Sequence, residues 1–415
     1  MSKPKASPSA PLVRWLPRRT PAVVVLCACL VLTFSMGTRQ TFGLFVKPVA
    51  IDLQLGREVF AFAIALQNLI WGLGQPFAGL IADRFGAGRV IAIAAMTYVL
   101  GLLTLHHATG PLGMDLAGAL IGLGLSGTGS GLVIGVVARN VSDERRSLAF
   151  GVVAAGGSFG QFIMVPFGQA LIAGFGWQDA LLYLALTVAL IVPLARVLVS
   201  PAAHTASGAT GQSPAAAIGE AARHRGYWLL FSGFFVCGFQ VMFIGLHLPA
   251  YLLDRGLSTV NATTALALIG LFNILGSFLA GYLGGRYSKK RLLSGIYFGR
   301  GLLICLFLAL PLSPASAYVF AAGMGLLWLG TMPLTNGMVA HMFGVRYLST
   351  LYGGVFLGHQ LGSFLGAWLG GYIFDQTGSY QIMWGCTIAL AVLAGLINLP
   401  IDERPVRRPE LATAA

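Results

Sequence analysis

The 415 residues are 56% hydrophobic and 9% charged, with a mean hydropathy of +0.80, more apolar surface than a water-soluble globule of this length can bury. The chain therefore needs a bilayer as its solvent. The net charge of +13 would suit a polyanion, but the basic residues are spread along the chain between apolar stretches, which excludes nucleic acid as their purpose.

Charge clusters and Pro/Gly breaks leave twelve apolar spans near the roughly 20 residues a helix needs to cross hydrocarbon. A basic tail, 1–20, precedes the first span, 22–46, which is too long for a signal sequence and carries Arg39 within Gly37-Thr38-Arg39-Gln40-Thr41. The second, 59–81, contains Gln67, Asn68, Trp71 and Gln75, and a charged loop from Gly79 to Arg89 joins it to the third, 89–107. The fourth, 112–138, is rich in Gly, and small residues at that spacing let helices approach closely. The fifth, 147–173, follows Arg145-Arg146, and the sixth, 178–199, ends at a small, polar stretch, 200–226, read as a flexible cytoplasmic linker. Beyond it lie 227–252, 259–284, 292–311, 315–341, 348–373 and 379–400, then a tail, 402–415. Spans this long and evenly apolar are not barrel strands, so an all-α membrane protein is expected, with one half at 21–199 and the other at 227–401.

The halves are related. Gly79-Leu80-Ile81-Ala82-Asp83-Arg84-Phe85 returns about 202 residues later as Gly281-Tyr282-Leu283-Gly284-Gly285-Arg286-Tyr287. Gly43-Leu44 with Pro48 recurs as Gly245-Leu246 with Pro249, and Gly176 pairs with Gly378. Paired halves joined by a polar middle are a common plan of secondary transporters, with the substrate site between them. About 21 of the 26 Lys and Arg lie on one side of the spans, and only Lys47, Arg57 and Arg255 flank the other. That bias predicts a multi-pass protein of a bacterial-type cytoplasmic (inner) membrane, with both termini and the middle loop in the cytoplasm.

The loop Gly-x3-Asp-Arg-x-Gly-x2-Arg at 79–89 resembles the signature of the major facilitator superfamily, and with the repeat the resemblance covers nearly the whole chain. It implies twelve transmembrane helices in two pseudo-symmetric six-helix halves and an inner gate of Asp83, Arg84 and Arg89. Arg145, Arg146 and Arg286 are expected to gate beside them; the second copy has Gly285 where the Asp would stand. The run from Arg145 to Gly160 is similar to the start of the fifth helix in monocarboxylate transporters and their oxalate/formate antiporter relatives. What this resemblance implies is transport of small organic carboxylates, often with a proton.

Two cations stand inside apolar spans, and a charge there is expensive unless paired or used. Arg39 is the candidate for substrate, since the resemblance puts helix one on the central cavity with a basic residue at about this depth. Arg300 is expected at the periphery, reaching an interface. The Asp and Glu residues all fall at span ends or in loops, so the cavity favours an anion. His359 falls where a loose alignment to the oxalate/formate antiporters puts an intramembrane basic residue, and is the candidate for anion or proton; His247 is a weaker one. Family members commonly carry an Arg on helix eight, but Gly276-Ser277-Phe278 stands there, so Arg39 and His359 would have to replace it. Gln40, Gln67, Asn68, Asn273, Asn336 and Tyr352 complete the substrate-contact set, each with helix packing as the alternative. The expected function is alternating-access transport of a small organic anion, with a proton as coupling ion, by a monomer without cofactor or metal. Its rivals are an exporter of amphipathic compounds or drugs, which would usually carry an intramembrane acid, and a non-transporting sensor or scaffold, which would usually carry a larger soluble domain. No nucleotide loop, metal set or nucleophile triad suggests an enzyme.

Overall fold

The computed structural model describes residues 20–198, 213–344 and 347–406, and every regular element among them is helical. Among the described residues, ten stretches are long and apolar enough to cross a membrane. One of them, Leu148–Ala195, is 48 residues long and holds two helices, because Gly176 turns to φ 81° and breaks it. Leu348–Thr377, a further 30-residue helix, completes the expected twelve. In chain order they are α1 (Pro21–Leu44), α2 (Arg57–Phe85), α3 (Ala87–His106), α4 (Pro111–Asn140), α5 (143–175) and α6 (177–189) in the first half. The second half holds α7 (Arg225–Asp254), α8 (Thr259–Gly284), α9 (Lys289–Ala309), α10 (Pro314–Phe343), α11 (Leu348–Thr377) and α12 (Gln381–Asn398). Gly378, the repeat partner of Gly176, also takes a positive φ, 66°, and ends α11 where no side chain would fit without strain.

Starts are set by familiar chemistry. Thr20 accepts from Val23 N with Pro21 following, and Ser258, Ser288 and Ser313 cap α8, α9 and α10. The same chemistry corrects the expectation of a flexible 200–226. Residues 199–212 lie outside the described chain, but Pro214–Arg223 is a helix, because Ser213 accepts from Ala216 N, Pro214 sits at its first turn, and alanine, the best helix former, dominates it. Of the tails, only Thr20 and residues through Val406 are described; Val406 N bonds Met342 O at 2.9 Å.

Within each half, glycines bring helix backbones together: a Cβ on Gly37 or Gly160 would strike the facing helix, α5 or α1, and one on Gly238 the carbonyl of His359 on α11. Between halves, α2 runs beside α11 and α5 beside α8. Both pairs meet toward one end: Gly371 abuts Glu58 and Ala61, and Gly270 abuts Gln161 and Phe162. They part toward the other, where a Cβ added to Gly79, Gly353, Gly151 or Gly281 would meet nothing within 4 Å. The bundle is thus a cleft, closed at the end carrying the 53–56 and 255–258 connections and open at the end carrying the 79–89 loop.

α4 and α10 are each broken midway. Gly129 takes extended backbone (φ −75°, ψ 171°) between Thr128 and a new helix, Ser130–Asn140, and α10 loses its helix over 327–330. Neither interruption was anticipated from the apolar run alone.

Candidate functional site

Arg39 lies at the depth of the cleft where the halves meet. Its Nη2 donates to Asn68 Oδ1 at 2.8 Å and touches Met242 Sδ, across the interface, at 2.7 Å. Its guanidinium sits 5.2 Å from the centre of the Trp71 ring. Asn68 is fixed for this task, since its own Nδ2 donates to Ile64 O at 2.7 Å and leaves Oδ1 aimed at the cation. All these partners are neutral, and Nε has none. A guanidinium held only by neutral groups in an apolar surrounding retains most of its attraction for an anion. A small cavity beside it, toward the closed end, is lined by Arg39, Gln40, Ile64, Val241 and Met242 among others.

His359 belongs to the same constellation. Its ring lies between Phe356, stacked at 5.8 Å, and Phe234 at 4.8 Å, and its Nδ1 is 3.0 Å from Gln360 Oε1. Gln360 Nε2 in turn donates to Asn68 O at 3.0 Å, so Arg39 and His359 are linked through Asn68 and Gln360. Trp71 packs on Phe356 at 5.5 Å, and half-buried Tyr352 lies beside Phe234 and Phe356. His359 Nε2, Gln40 Nε2, the Trp71 indole nitrogen and both amide atoms of Gln67 are buried without a hydrogen-bond partner. A group of unspent donors and acceptors around one cation is what a polar ligand would satisfy.

Other candidates are spent elsewhere. Asn273 donates to Ser158 Oγ at 2.9 Å and accepts from Ser277 Oγ and Leu329 N, so it clasps α8 to α5 and to the break in α10. Asn336, on the α10 segment Thr331–Phe343, has a buried Oδ1 without partner. His247 is buried, its Nε2 2.8 Å from Ala367 O and its Nδ1 3.3 Å from Tyr380 Oη, which is a packing role. Arg300 corrects the expectation of a peripheral, interface-seeking cation. It is fully buried and points inward, where its Nε and Nη2 donate to Leu327 O, Nη2 also to Trp328 O, and Nη1 to Gln240 Oε1 at 3.0 Å. The carbonyls freed where α10 stops are the negative end of a helix, and Arg300 answers them.

The six residues expected to gate cluster at the open end. Asp83 pairs with Arg139 at 2.9 Å, both in the first half, while Arg84 lies over Phe85 and Arg286 over Tyr282. Arg89 and Arg145 are exposed and Arg146 half-buried. In this state the charges of the 79–89 loop do not reach across the cleft through the Asp83 pair.

The latch between halves is at the closed end, and sequence reasoning missed it. Arg57 Nη1 and Nη2 reach the two carboxylate oxygens of Asp254 at 2.6 and 2.9 Å, Lys47 reaches Asp254 at 2.9 Å, and Arg57 also donates to Tyr380 Oη and lies 3.7 Å over Phe374. Asp375, from the second half, accepts from Arg57 N at 3.0 Å and Glu58 N at 2.7 Å and so caps α2; Trp368 donates to Glu58. The signal was available: Lys47 and Arg57 are two of the three basic residues on their side. Asp254→Asn should weaken this forked, partly buried pair by about 1 to 2 kcal/mol and shift the population toward a state open at this end. Thiol labelling of Gly245→Cys from the closed side should then quicken about tenfold; an unchanged rate would remove Asp254 from the latch.

A cleft between two homologous six-helix bundles, with a cation at its apex, defines a multi-pass membrane transporter. A family model of the Major Facilitator Superfamily matches residues 28–332 and 274–414, and the chain belongs to that superfamily. It is 27% identical over 378 residues to Monocarboxylate transporter 11 of Homo sapiens, covering 86% of this chain and 78% of that protein. It is 22% identical over 431 residues to the Oxalate:formate antiporter of Oxalobacter formigenes, covering 98% and 97%. Among solved structures, that of a D-xylose-proton symporter superposes with a TM-score of 0.70 at 15% identity, over 93% of this chain and 99% of that one, a likeness of fold.

Proposed function

We propose that this transporter carries a small organic anion, a monocarboxylate in the simplest case, across a bacterial-type inner membrane by alternating access, coupled to a proton. The observation that carries the reading is Arg39, a cation at the apex of the cleft whose partners Asn68, Met242 and Trp71 are all neutral. The resemblance to monocarboxylate and oxalate:formate carriers supports it. With the Lys/Arg excess on the cytoplasmic side, both termini are cytoplasmic and the open end of the cleft faces the cytoplasm. An exporter of amphipathic compounds or drugs is disfavoured, because the charge at the apex is a cation with neutral partners and no carboxylate among the described residues is paired with it.

The proton rides on His359 or on the substrate. Proteoliposomes given a panel of radiolabelled carboxylates, with and without an inward proton gradient, test both parts. Gradient-driven accumulation of at least one carboxylate is the expected result, and failure with every carboxylate overturns the anion reading. In His359→Gln, exchange of internal for external substrate should persist while the acceleration by the gradient is lost. Retained acceleration assigns the proton to the substrate, and a wild type indifferent to the gradient removes proton coupling. Labelling at residue 210 or 410 from outside intact cells would reverse the orientation.

A further inference from the structure

The two broken helices stand at about the same depth in the repeat but are finished differently. In the second half the break is closed from within: Arg300 takes the carbonyls of Leu327 and Trp328, and Asn273 Oδ1 accepts from Leu329 N. Shifting by the repeat of about 202 residues puts Tyr98 at the place of Arg300 and Trp71 at the place of Asn273. Tyr98 donates to Ser35 O, on a different helix from the break. Trp71 does face it: its indole nitrogen would lie 3.1 Å from a Cβ on Gly129. Yet Trp71, only 6% exposed, has no partner for that N–H.

The break also releases a helix start. Ser130–Asn140 is an 11-residue helix whose cap position is Gly129, so no side chain satisfies its first amides. The earliest bond returned to Gly129 O comes from Val133 N, which leaves the N–H groups of Ser130, Gly131 and Leu132 without helical partners. Gly131 is exposed, and a Cβ there would meet Gln75 Nε2. One turn before Trp71, Gln67 is fully buried with neither amide atom partnered. Arg39 lies over the same Trp71 ring. Two positive poles, a guanidinium and a helix N-terminus, thus flank one indole whose N–H is unspent.

We propose that the start of the Ser130–Asn140 half-helix, the Trp71 indole N–H and Gln67 form a second oxygen subsite in the cleft. The transported anion then carries a carboxylate for Arg39 and a further oxygen acceptor, a second carboxylate or a carbonyl, for this subsite. The inference rests on the anion reading above and specifies its substrate class. The break in α4 presents donors to the ligand where the break in α10 presents its own to Asn273.

Binding of matched acids to the purified transporter tests it. Succinate against butyrate supplies a second carboxylate, and 4-oxopentanoate against pentanoate supplies a carbonyl. The wild type should favour the oxygen-bearing member of at least one pair by about tenfold, the scale of one charge-assisted hydrogen bond. Trp71→Phe, which keeps an aromatic ring beneath Arg39 and removes the N–H, should erase that preference, so that both members of each pair bind the variant equally. In wild-type protein the Trp71 indole proton, assigned by its absence in the variant, should shift downfield when the favoured acid binds. Plain and oxygen-bearing acids binding equally, a preference that survives Trp71→Phe, or an indole proton unmoved by a bound oxygen-bearing acid would each overturn the subsite. If no acid binds the wild type at all, the anion reading itself falls; oxygen-bearing acids that bind without moving the indole sink the subsite alone.

Discussion

Replacing Arg39 by Gln is expected to lower carboxylate affinity at least about 100-fold, because the substitution removes a charge-assisted contact worth roughly 3 kcal/mol from a site where, among the described residues, no other Lys or Arg touches the Arg39 group. Asn68 and Trp71 would remain in place, so the cleft keeps its shape and the loss reports charge. Arg39→Lys keeps a point charge on a flexible stem but gives up the planar fork, and it should hold part of the affinity, about tenfold below wild type. Equilibrium binding of a radiolabelled carboxylate to purified protein distinguishes the two. Near-wild-type affinity in Arg39→Gln would place the anion elsewhere.

The other large effect falls on folding. Arg300→Met should destabilise the protein by about 2 to 4 kcal/mol, the cost of leaving buried neutral acceptors without their donor. The loss arises because Leu327 O, Trp328 O and Gln240 Oε1 would be left facing each other with no donor. Met fills a comparable volume, so the deficit is one of polarity more than of a void. Thermal unfolding in detergent and the yield of monodisperse protein measure it. A variant that melts within a degree or two of wild type would show that the α10 break supports itself.

How far the sequence led depends on which physical signal each feature leaves. Hydropathy and the Gly79/Gly281 repeat revealed twelve helices and two halves, because a bilayer demands about 20 apolar residues per crossing and duplication preserves the glycines at helix contacts. Arg39 stood out for the same reason: a cation costs most where nothing else is charged, so its position in span one was visible without neighbours. What side chains do across space was not. Asn273 and Gln67 look alike as polar residues in apolar spans, yet one is fully bonded and the other unbonded, and only the partners contributed by α5 and α10 separate them. Arg300 was misplaced because its position on α9 says nothing of the carbonyls that a break in α10 releases beside it. The latch at Asp254 was hidden because acids at span ends are ordinary, and its meaning lies in Lys47 and Arg57 being brought to it from the other half.

The cap that Asp375 lends to α2 gives the molecule a built-in reporter. The first amides of that helix, at Arg57 and Glu58, are bonded by a carboxylate belonging to the opposite half. They are shielded only while the two halves touch there. In the alternating-access cycle proposed above, opening at that end would take this acceptor away, and their protons would become free to exchange with deuterium. Exchange at these two amides, timed during turnover, therefore measures how often the carrier visits its other face. No probe needs to be attached to a protein whose helices leave little room for one.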